Sequence, residues 1–158
     1  MTREYQTLQA YGQSKTASNL FALELDSRGQ KFNVRAYSLH PGSINGTELG
    51  REALELFKQM GTHDANGNIK QEIANKLKTI SQGAATTIWC TTSSMLNNIG
   101  GVYCEDADIA ELDLGTIEHR QDDFASMRGV QPYSLDIENA KRLWKLSEQM
   151  TGLTFSVE

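Results

Sequence analysis

Only two segments of this chain have the composition of a β-strand, and both lie between segments that predict helices. The first covers residues 33–40 and the second covers residues 100–104. Alternation of helix and strand is typical of an α/β domain with a parallel sheet. Two strands do not form an independently stable sheet, however, and the whole chain has only four valines. We therefore expect this chain to supply part of a sheet that other strands complete.

The first predicted helix covers residues 10–28. Its apolar residues recur at three- and four-residue steps, which is the periodicity of one helix face. Gly29 follows at the position where a helix commonly ends in the left-handed conformation. This helix is expected to lead directly into the strand at 33–40.

Four further segments predict helices from their periodicity and capping residues. Residues 48–60 are amphipathic, and residues 69–79 form a shorter helix. Ser81 is the expected N-cap of a helix over residues 82–94. Its packed face is expected to comprise Ala84, Ala85, Ile88, Trp89 and Thr92.

The last predicted helix runs to Met150. Ser134 or Asp136 is its expected N-cap, because both side chains can accept a hydrogen bond from the first turn. Gly152 closes it in the position that favours glycine.

The composition excludes several classes of protein. A chain of 158 residues that is 39% apolar and 22% charged is typical of a globular domain rather than a disordered one. No apolar run approaches the roughly 18 residues that a membrane span requires. The first residues also lack the apolar core of a secretion signal. We expect a cytoplasmic protein without a membrane span.

The charged and metal-binding residues exclude other classes. The net charge is −5 and the basic residues are scattered, so nucleic acid is not an expected partner. Cys90 and Cys104 lack the spacing of a zinc site or a redox motif and are expected to be buried thiols in a reducing compartment. His40, His63 and His119 also lack the spacing of metal ligands, so no metal is expected.

Tyr11 and Lys15, in the run Tyr11-Gly12-Gln13-Ser14-Lys15, are the residues that most indicate chemistry. Four residues apart on a helix, they share one face, so the ammonium can lie near the phenol. A nearby positive charge favours the ionised phenol, which suits general acid/base work on an alcohol or a ketone. The same spacing also arises by chance, so an ordinary helix surface is the alternative.

Pro41 and Gly42 follow the strand at 33–40, at the end of the strand where ligands bind in open α/β sheets. Gly42 would let a ligand approach the backbone closely. Thr47 adds a hydroxyl shortly afterwards. An ordinary turn at the end of a strand is the alternative.

In their order along the chain, these segments resemble the short-chain dehydrogenase/reductase family. The helix with Tyr11 and Lys15, followed by the run from Asn33 to Ile44, resembles that family's active-site helix, strand and Pro-Gly loop. Residues 81–86, 100–106 and 132–136 resemble the branch that contains retinol dehydrogenases and WW domain-containing oxidoreductases. The resemblance covers nearly the whole chain. It implies an α/β fold, namely the C-terminal half of a Rossmann-type, doubly wound parallel sheet with few strands and several helices.

The resemblance also implies roles for individual residues. Tyr11 would be the proton donor and acceptor at the oxygen of a small-molecule alcohol or carbonyl substrate. Lys15 would bind the nicotinamide ribose and favour the ionised form of Tyr11. Thr47 comes one residue later than the corresponding family threonine, and residues 48–80 would cover the substrate. The implied residues for binding NAD or NADP are Tyr11, Lys15, Pro41, Gly42, Ile44 and Thr47.

The sequence departs from the family at its beginning. In the family, a Gly-rich nucleotide-binding turn and a catalytic serine precede the active-site tyrosine. Here ten residues precede Tyr11, none of them serine, and no G-x-G-x-x-G run occurs in the chain. Residues 1–158 are therefore expected to be the C-terminal part of one such domain, without its N-terminal nucleotide-binding half.

Two functions follow from this expectation. In the first, the chain is part of an NAD(P)-dependent dehydrogenase or reductase and is inactive by itself. In the second, it is a truncated, non-catalytic homologue that acts as an interaction partner of a full-length dehydrogenase. Pairing with such a homologue, or with a second copy of itself, is the expected mode of association.

Overall fold

The computed structural model describes residues 4–45, 54–115 and 128–155. Three short strands in these residues form one sheet: β1 (Ser38–His40), β2 (Tyr103–Glu105) and β3 (Asp108–Ile109). β1 and β2 are parallel, with Leu39 opposite Cys104, and β2 and β3 are antiparallel. The strand order is β1-β2-β3, so β1 forms one edge of the sheet within the described residues.

Five α-helices accompany this sheet, and the predicted α/β class with parallel pairing is confirmed. α1 contacts α5 and β1, whereas α4 contacts β1 and β2. Short 3-10 turns follow α1 and α4 and precede α5. The helices are α1 (Thr7–Gly29), α2 (Leu54–Gln59), α3 (Gln71–Ala74), α4 (Ile80–Thr92) and α5 (Ile137–Thr151).

The two faces of the sheet have different neighbours. Leu39 and Cys104 pack on one face in a core cluster that includes Cys90 of α4. Because side chains alternate along a strand, the residues on either side of Leu39 and Cys104 point to the opposite face. The buried thiols predicted for Cys90 and Cys104 are confirmed, since they are 7% and 0% exposed and form no disulfide.

The first predicted strand is wrong in its extent. The ladder covers residues 38–40 rather than 33–40. Asn33 adopts a left-handed conformation (φ 58°), and the amide of Ala36 donates to the Asp26 carboxylate at 3.0 Å. The Asp26 side chain thus accepts from a backbone amide that would pair with a neighbouring strand if β1 were longer. The second strand is likewise displaced, to Tyr103–Glu105.

The predicted end of the first helix is also wrong. Gly29 is helical, with φ −82°, and the chain continues through a 3-10 turn to the left-handed Asn33. The absence of a side chain at position 29 matters for packing instead. A Cβ at this position would lie 2.9 Å from the carbonyl oxygen of Val34. α1 also begins three residues earlier than expected, at Thr7.

α4 differs from its prediction in both its start and its buried face. Its N-cap is Thr79, whereas Ser81 lies inside the helix. The buried residues are Gly83, Thr86 and Cys90. A Cβ at Gly83 would lie 2.2 Å from Ile44 Cδ1. The absence of a side chain at Gly83 therefore lets α4 approach the loop after β1.

The face of α4 that was expected to be packed is therefore largely exposed. Ile88 is 60% exposed, and Trp89 alone of the five residues packs against the core cluster. The other exposed members of that face are Ala84, Ala85 and Thr92.

The remaining helices agree in part with their predictions. α2 covers Leu54–Gln59, and the predicted start of that helix lies outside the described residues. α3 is a single turn rather than a helix over 69–79. Asp136 caps α5 by accepting from the amide of Asn139 at 2.7 Å, and Gly152 ends it with φ 69°, as expected. Nothing in the described residues forms a helix with the length and apolarity needed to cross a bilayer.

Candidate active site

α1 brings Tyr11 and Lys15 together, as their spacing predicts. The two residues stand one turn apart on the same face, and Lys15 Nζ lies 5.3 Å from the centroid of the Tyr11 ring. Tyr11 is 48% exposed, so its phenol is accessible to a ligand. This pair has the charge and the accessibility that general acid/base chemistry needs.

An ion pair with a buried carboxylate connects α1 to the segment before β1. Asp26, near the end of α1, is 6% exposed and accepts two hydrogen bonds of 2.8 Å from Arg35. The same carboxylate accepts from the amide of Ala36, two residues before β1. The helix that carries Tyr11 and Lys15 is thus tied directly to the strand that follows it.

Aromatic packing fixes the same helix against α5. Phe21 of α1 stacks on Trp144 with 4.9 Å between the ring centroids. Arg28 lies over the same indole at 4.7 Å, and the indole nitrogen donates to Glu148 at 3.1 Å. These contacts hold the second half of α1 against α5, and Tyr11 lies in the first half of the same helix.

The residues of the sheet that lie near this pair are Tyr103 and His40. Burial raises the pKa of Tyr103 to about 12, and the charges of Glu105 and Tyr11 act in the same direction. Partial desolvation lowers the pKa of His40, and Lys15 is among the charges that act on it. Both side chains occupy the face opposite the core cluster, which is the face that α1 approaches.

His40 and Tyr103 lie near the candidate site, and the sequence reasoning missed them. The signal that could have found them is their position on two parallel strands, with Ser38 opposite Tyr103 and His40 opposite Glu105. Alternation along each strand then places all four side chains on one face. Finding them required the register, which two short sequence segments do not determine.

The Pro-Gly turn lies directly beyond β1, as expected. Gly42 has φ 85°, a conformation that L-residues rarely adopt, and its amide donates to His40 Nδ1 at 3.3 Å. Ile44 is half-buried and directs its Cδ1 toward Gly83 of α4. Thr47 lies outside the described residues.

This arrangement fits the nicotinamide end of a dinucleotide. A cation and a phenol on one helix face lie near His40, at the carboxyl end of β1, where ligands bind in open α/β sheets. In contrast, the described residues contain no group of three or more His, Cys, Asp or Glu side chains that could hold a metal ion.

Comparison with known proteins decides the family. The chain is 34% identical over 149 residues to the oxidoreductase calI of Penicillium decumbens. It is also 34% identical over 155 residues to the short-chain dehydrogenase/reductase prx1 of Penicillium roqueforti. The chain belongs to the short-chain dehydrogenase/reductase family. This assignment confirms the resemblance indicated by its motifs.

Two further relatives agree with this short-chain dehydrogenase/reductase assignment. They are a probable oxidoreductase of Streptomyces lividans, at 37% identity, and the WW domain-containing oxidoreductase of Drosophila melanogaster, at 26%. The calI, prx1 and Streptomyces matches cover 94%, 96% and 90% of this chain but only 41%, 40% and 45% of the relatives. The chain thus spans less than half the length of these proteins. No protein-family model matches it.

Proposed function

We propose that this chain is part of an NAD(P)-dependent enzyme that interconverts an alcohol and a carbonyl compound, with Tyr11 as the proton donor and acceptor. The observation that carries this proposal is the pair of Tyr11 and Lys15 on one exposed helix face, with the ammonium 5.3 Å from the ring centroid. Family membership supports the reaction class.

The proposed chemistry assigns one task to each residue. During oxidation of an alcohol, the substrate hydroxyl gives its proton to the ionised oxygen of Tyr11; during reduction of a carbonyl, Tyr11 returns a proton to the substrate oxygen. Lys15 places a positive charge beside the phenol of Tyr11. The nicotinamide, when bound, accepts or supplies the hydride that completes the reaction.

The proposed cofactor-binding residues are those that the family resemblance implies. Lys15 would hold the nicotinamide ribose, and Pro41, Gly42 and Ile44 would line the nicotinamide beyond β1. Thr47 retains its proposed contact with the cofactor. The cofactor is NAD or NADP. The proposed location is the cytoplasm, which the free thiols of Cys90 and Cys104 favour, because a reducing compartment keeps thiols unpaired.

Tyr11→Phe tests the assignment. The variant is made in a chimera that carries the nucleotide-binding half of a relative upstream of this chain, and turnover is followed by nicotinamide absorbance on a panel of alcohols and carbonyl compounds. Because the substitution deletes one hydroxyl, we expect kcat to fall about 10²- to 10⁴-fold while dinucleotide affinity stays unchanged.

Tyr5→Phe is the matched control, since Tyr5 is 77% exposed and near the same end of α1. It should retain full turnover. Full turnover of the Tyr11→Phe chimera would show that Tyr11 is not the proton donor.

A second function is favoured by a separate observation. β1 is an edge strand within the described residues, and the chain spans less than half the length of its relatives. An open edge is a template for pairing with another chain. We propose as the alternative that the chain is a non-catalytic partner of a full-length dehydrogenase.

The mass and solubility of the purified chain distinguish the two functions. A monodisperse protein that stays soluble without dinucleotide supports the role of a partner. Aggregation that disappears in the chimera supports the role of one half of an enzyme, because the added strands would then cover the edge of β1.

A further inference from the structure

Lys78 connects segments that are distant in sequence. Its amide donates to the carbonyl of Ser43 at 2.8 Å, and its carbonyl accepts from the amide of Asn45 at 3.1 Å. Its side chain lies over Gly42, where an added Cβ would be 2.6 Å from Lys78 Cδ and 2.8 Å from Nζ. Its ammonium pairs with Asp106. One residue thus holds the loop after β1 through its backbone and through its side chain.

Asp106 belongs to a tight and well-fixed turn. Asp106 and Ala107, the two residues between β2 and β3, have φ angles of 50° and 57°, which is the backbone of a type I′ hairpin. The amide of Ala107 donates to the hydroxyl of Thr86 at 3.2 Å, and Thr86 is only 1% exposed. A left-handed alanine persists only where its surroundings determine it. The backbone that carries Asp106 is therefore held in place by the residues around it.

The aliphatic stem of Lys78 contributes more than its charge does to holding the loop after β1. The side chain of Lys78 is 28% exposed, whereas that of Asp106 is 70% exposed. An ion pair with one partner so open to water is weak. The aliphatic stem, in contrast, packs on the one surface of Gly42 that a side chain would fill.

We propose that Lys78 is a positioning residue that fixes the Pro41-Gly42 turn against the hairpin turn between β2 and β3. The inference rests on the proposed function, in which this turn contacts the nicotinamide. Lys78 acts through Gly42 and does not contact the reacting atoms.

Amide hydrogen exchange of the 158-residue chain tests whether Lys78 holds the loop after β1. Lys78→Met keeps an aliphatic stem and removes the charge; we expect the amides of residues 45 and 78 to exchange about 1.5- to 5-fold faster, the range that loss of an exposed ion pair gives. Lys78→Ala also removes the stem and should accelerate both amides further. Lys145→Met, at an exposed position on α5, is the control and should leave them unchanged. Unchanged exchange in both Lys78 variants would overturn the proposal.

A double substitution tests the contact with Gly42 directly. Gly42→Ala introduces a Cβ into the space of the Lys78 stem and also strains the backbone. Removing the stem relieves the first effect and not the second. The urea midpoint should therefore fall less when Gly42→Ala is added to Lys78→Ala than when it is added to the natural chain. Equal falls would show that the stem does not pack on Gly42.

The chimera separates this inference from the proposed function. Lys78→Ala should raise the KM for dinucleotide while leaving kcat at saturation nearly unchanged, whereas Tyr11→Phe lowers kcat. Faster exchange at residues 45 and 78 without a change in KM would refute the positioning role and leave the proposed function intact. Full activity of Tyr11→Phe would refute the proposed function, whatever the exchange of the Lys78 variants.

Discussion

At the scale of single residues, Gly100 shows how one position couples a helix to the sheet. It lies beside the ion pair of Asp26 and Arg35, where a Cβ would be 2.0 Å from Asp26 Oδ1 and 2.6 Å from Arg35 Nε. The next residue, Gly101, donates its amide to the carbonyl of Ala36 at 2.8 Å. The ion pair and the start of the parallel ladder therefore both lie directly against Gly100. They leave no volume for a side chain at this position.

Gly100→Ala should destabilise the chain. The added methyl must displace a buried carboxylate that accepts three hydrogen bonds, so we expect a loss of about 1 to 3 kcal/mol in the free energy of unfolding, as for overpacked cores. Urea denaturation measures this change. Gly12→Ala is the matched control: nothing lies within 4 Å of the new Cβ, and alanine in a helix is favoured over glycine by about 1 kcal/mol. Equal effects of the two substitutions would contradict the packing argument.

His40 should make stability depend on pH. Desolvation lowers its pKa; Lys78 and Lys15 act in the same direction, while Glu105 and Asp106 oppose it. The unfolded chain therefore binds the proton at a higher pH than the folded chain does. The contribution of His40 to stability is complete above its unfolded pKa, about 6.5, and decreases as the pH falls from there toward the lower folded pKa.

His40→Asn tests this dependence, because it removes the titrating ring. The side-chain oxygen of asparagine can still accept from the amide of Gly42. Between about pH 7.5 and pH 5, the free energy of unfolding should fall less in the variant than in the natural chain. Chemical denaturation at several pH values measures both curves. Parallel curves would mean that His40 titrates alike in the folded and unfolded states.

At the scale of elements, α4 is defined by its first turn. The hydroxyl of Thr79 accepts from the amide of Gln82 at 3.2 Å, and the side chain of Gln82 accepts from the amide of Thr79 at 2.8 Å. This capping box satisfies two amides that the helix itself leaves unpaired. It also fixes where α4 begins, with its N-cap directly after Lys78.

Thr79→Ala should destabilise the chain by about 1 kcal/mol, the usual effect of losing an N-cap. Ser81→Ala tests the cap that the sequence predicted and should change stability by less than about 0.5 kcal/mol, because Ser81 is an exposed residue within the helix. Thermal unfolding monitored by circular dichroism compares the two. A larger effect at Ser81 would reverse the assignment.

At the scale of the whole molecule, one face of the sheet is covered by α4, and α1 lies at the other. The described part of the sheet nevertheless has only three short strands, and β1 forms one of its edges. Sheets in globular proteins usually contain about five or six strands. The exposed Ile88 of α4 is a second sign that the described surface is one that further chain could cover.

Dinucleotide titration tests the role of further chain at this scale. By nicotinamide fluorescence, the 158-residue chain alone should not bind NADH or NADPH measurably, because the proposed contacts hold only one end of the cofactor. The chimera should bind one of them. Lys15→Ala in the chimera should weaken binding and also lower kcat, because the proposed function assigns this ammonium both to the ribose and to the support of Tyr11. Tight binding by the short chain would show that it holds a complete cofactor site.

The sequence by itself determined the features that depend on neighbouring residues. The existence of α1 and α5, Asp136 as one of two candidate caps and the glycine at 152 are local features, and local rules predicted them. The shared face of Tyr11 and Lys15 is equally local, because a helix turn fixes it. The roles proposed for these two residues remain predictions.

Only the tertiary structure decided the features that depend on distant partners. The Asp26 carboxylate, on the preceding helix, accepts from the Ala36 amide and so shortens the first strand. The buried face of α4 is set by three distant partners: Ile44 packs against Gly83, the Ala107 amide donates to Thr86, and Cys104 packs against Cys90. β3 was missed because its turn uses Asp106 and Ala107 in left-handed conformations, without the glycine that marks such turns. The register of β1 and β2 likewise brought His40 and Tyr103 to the candidate site. Such contacts join residues far apart in the chain, and local periodicity holds no information about them.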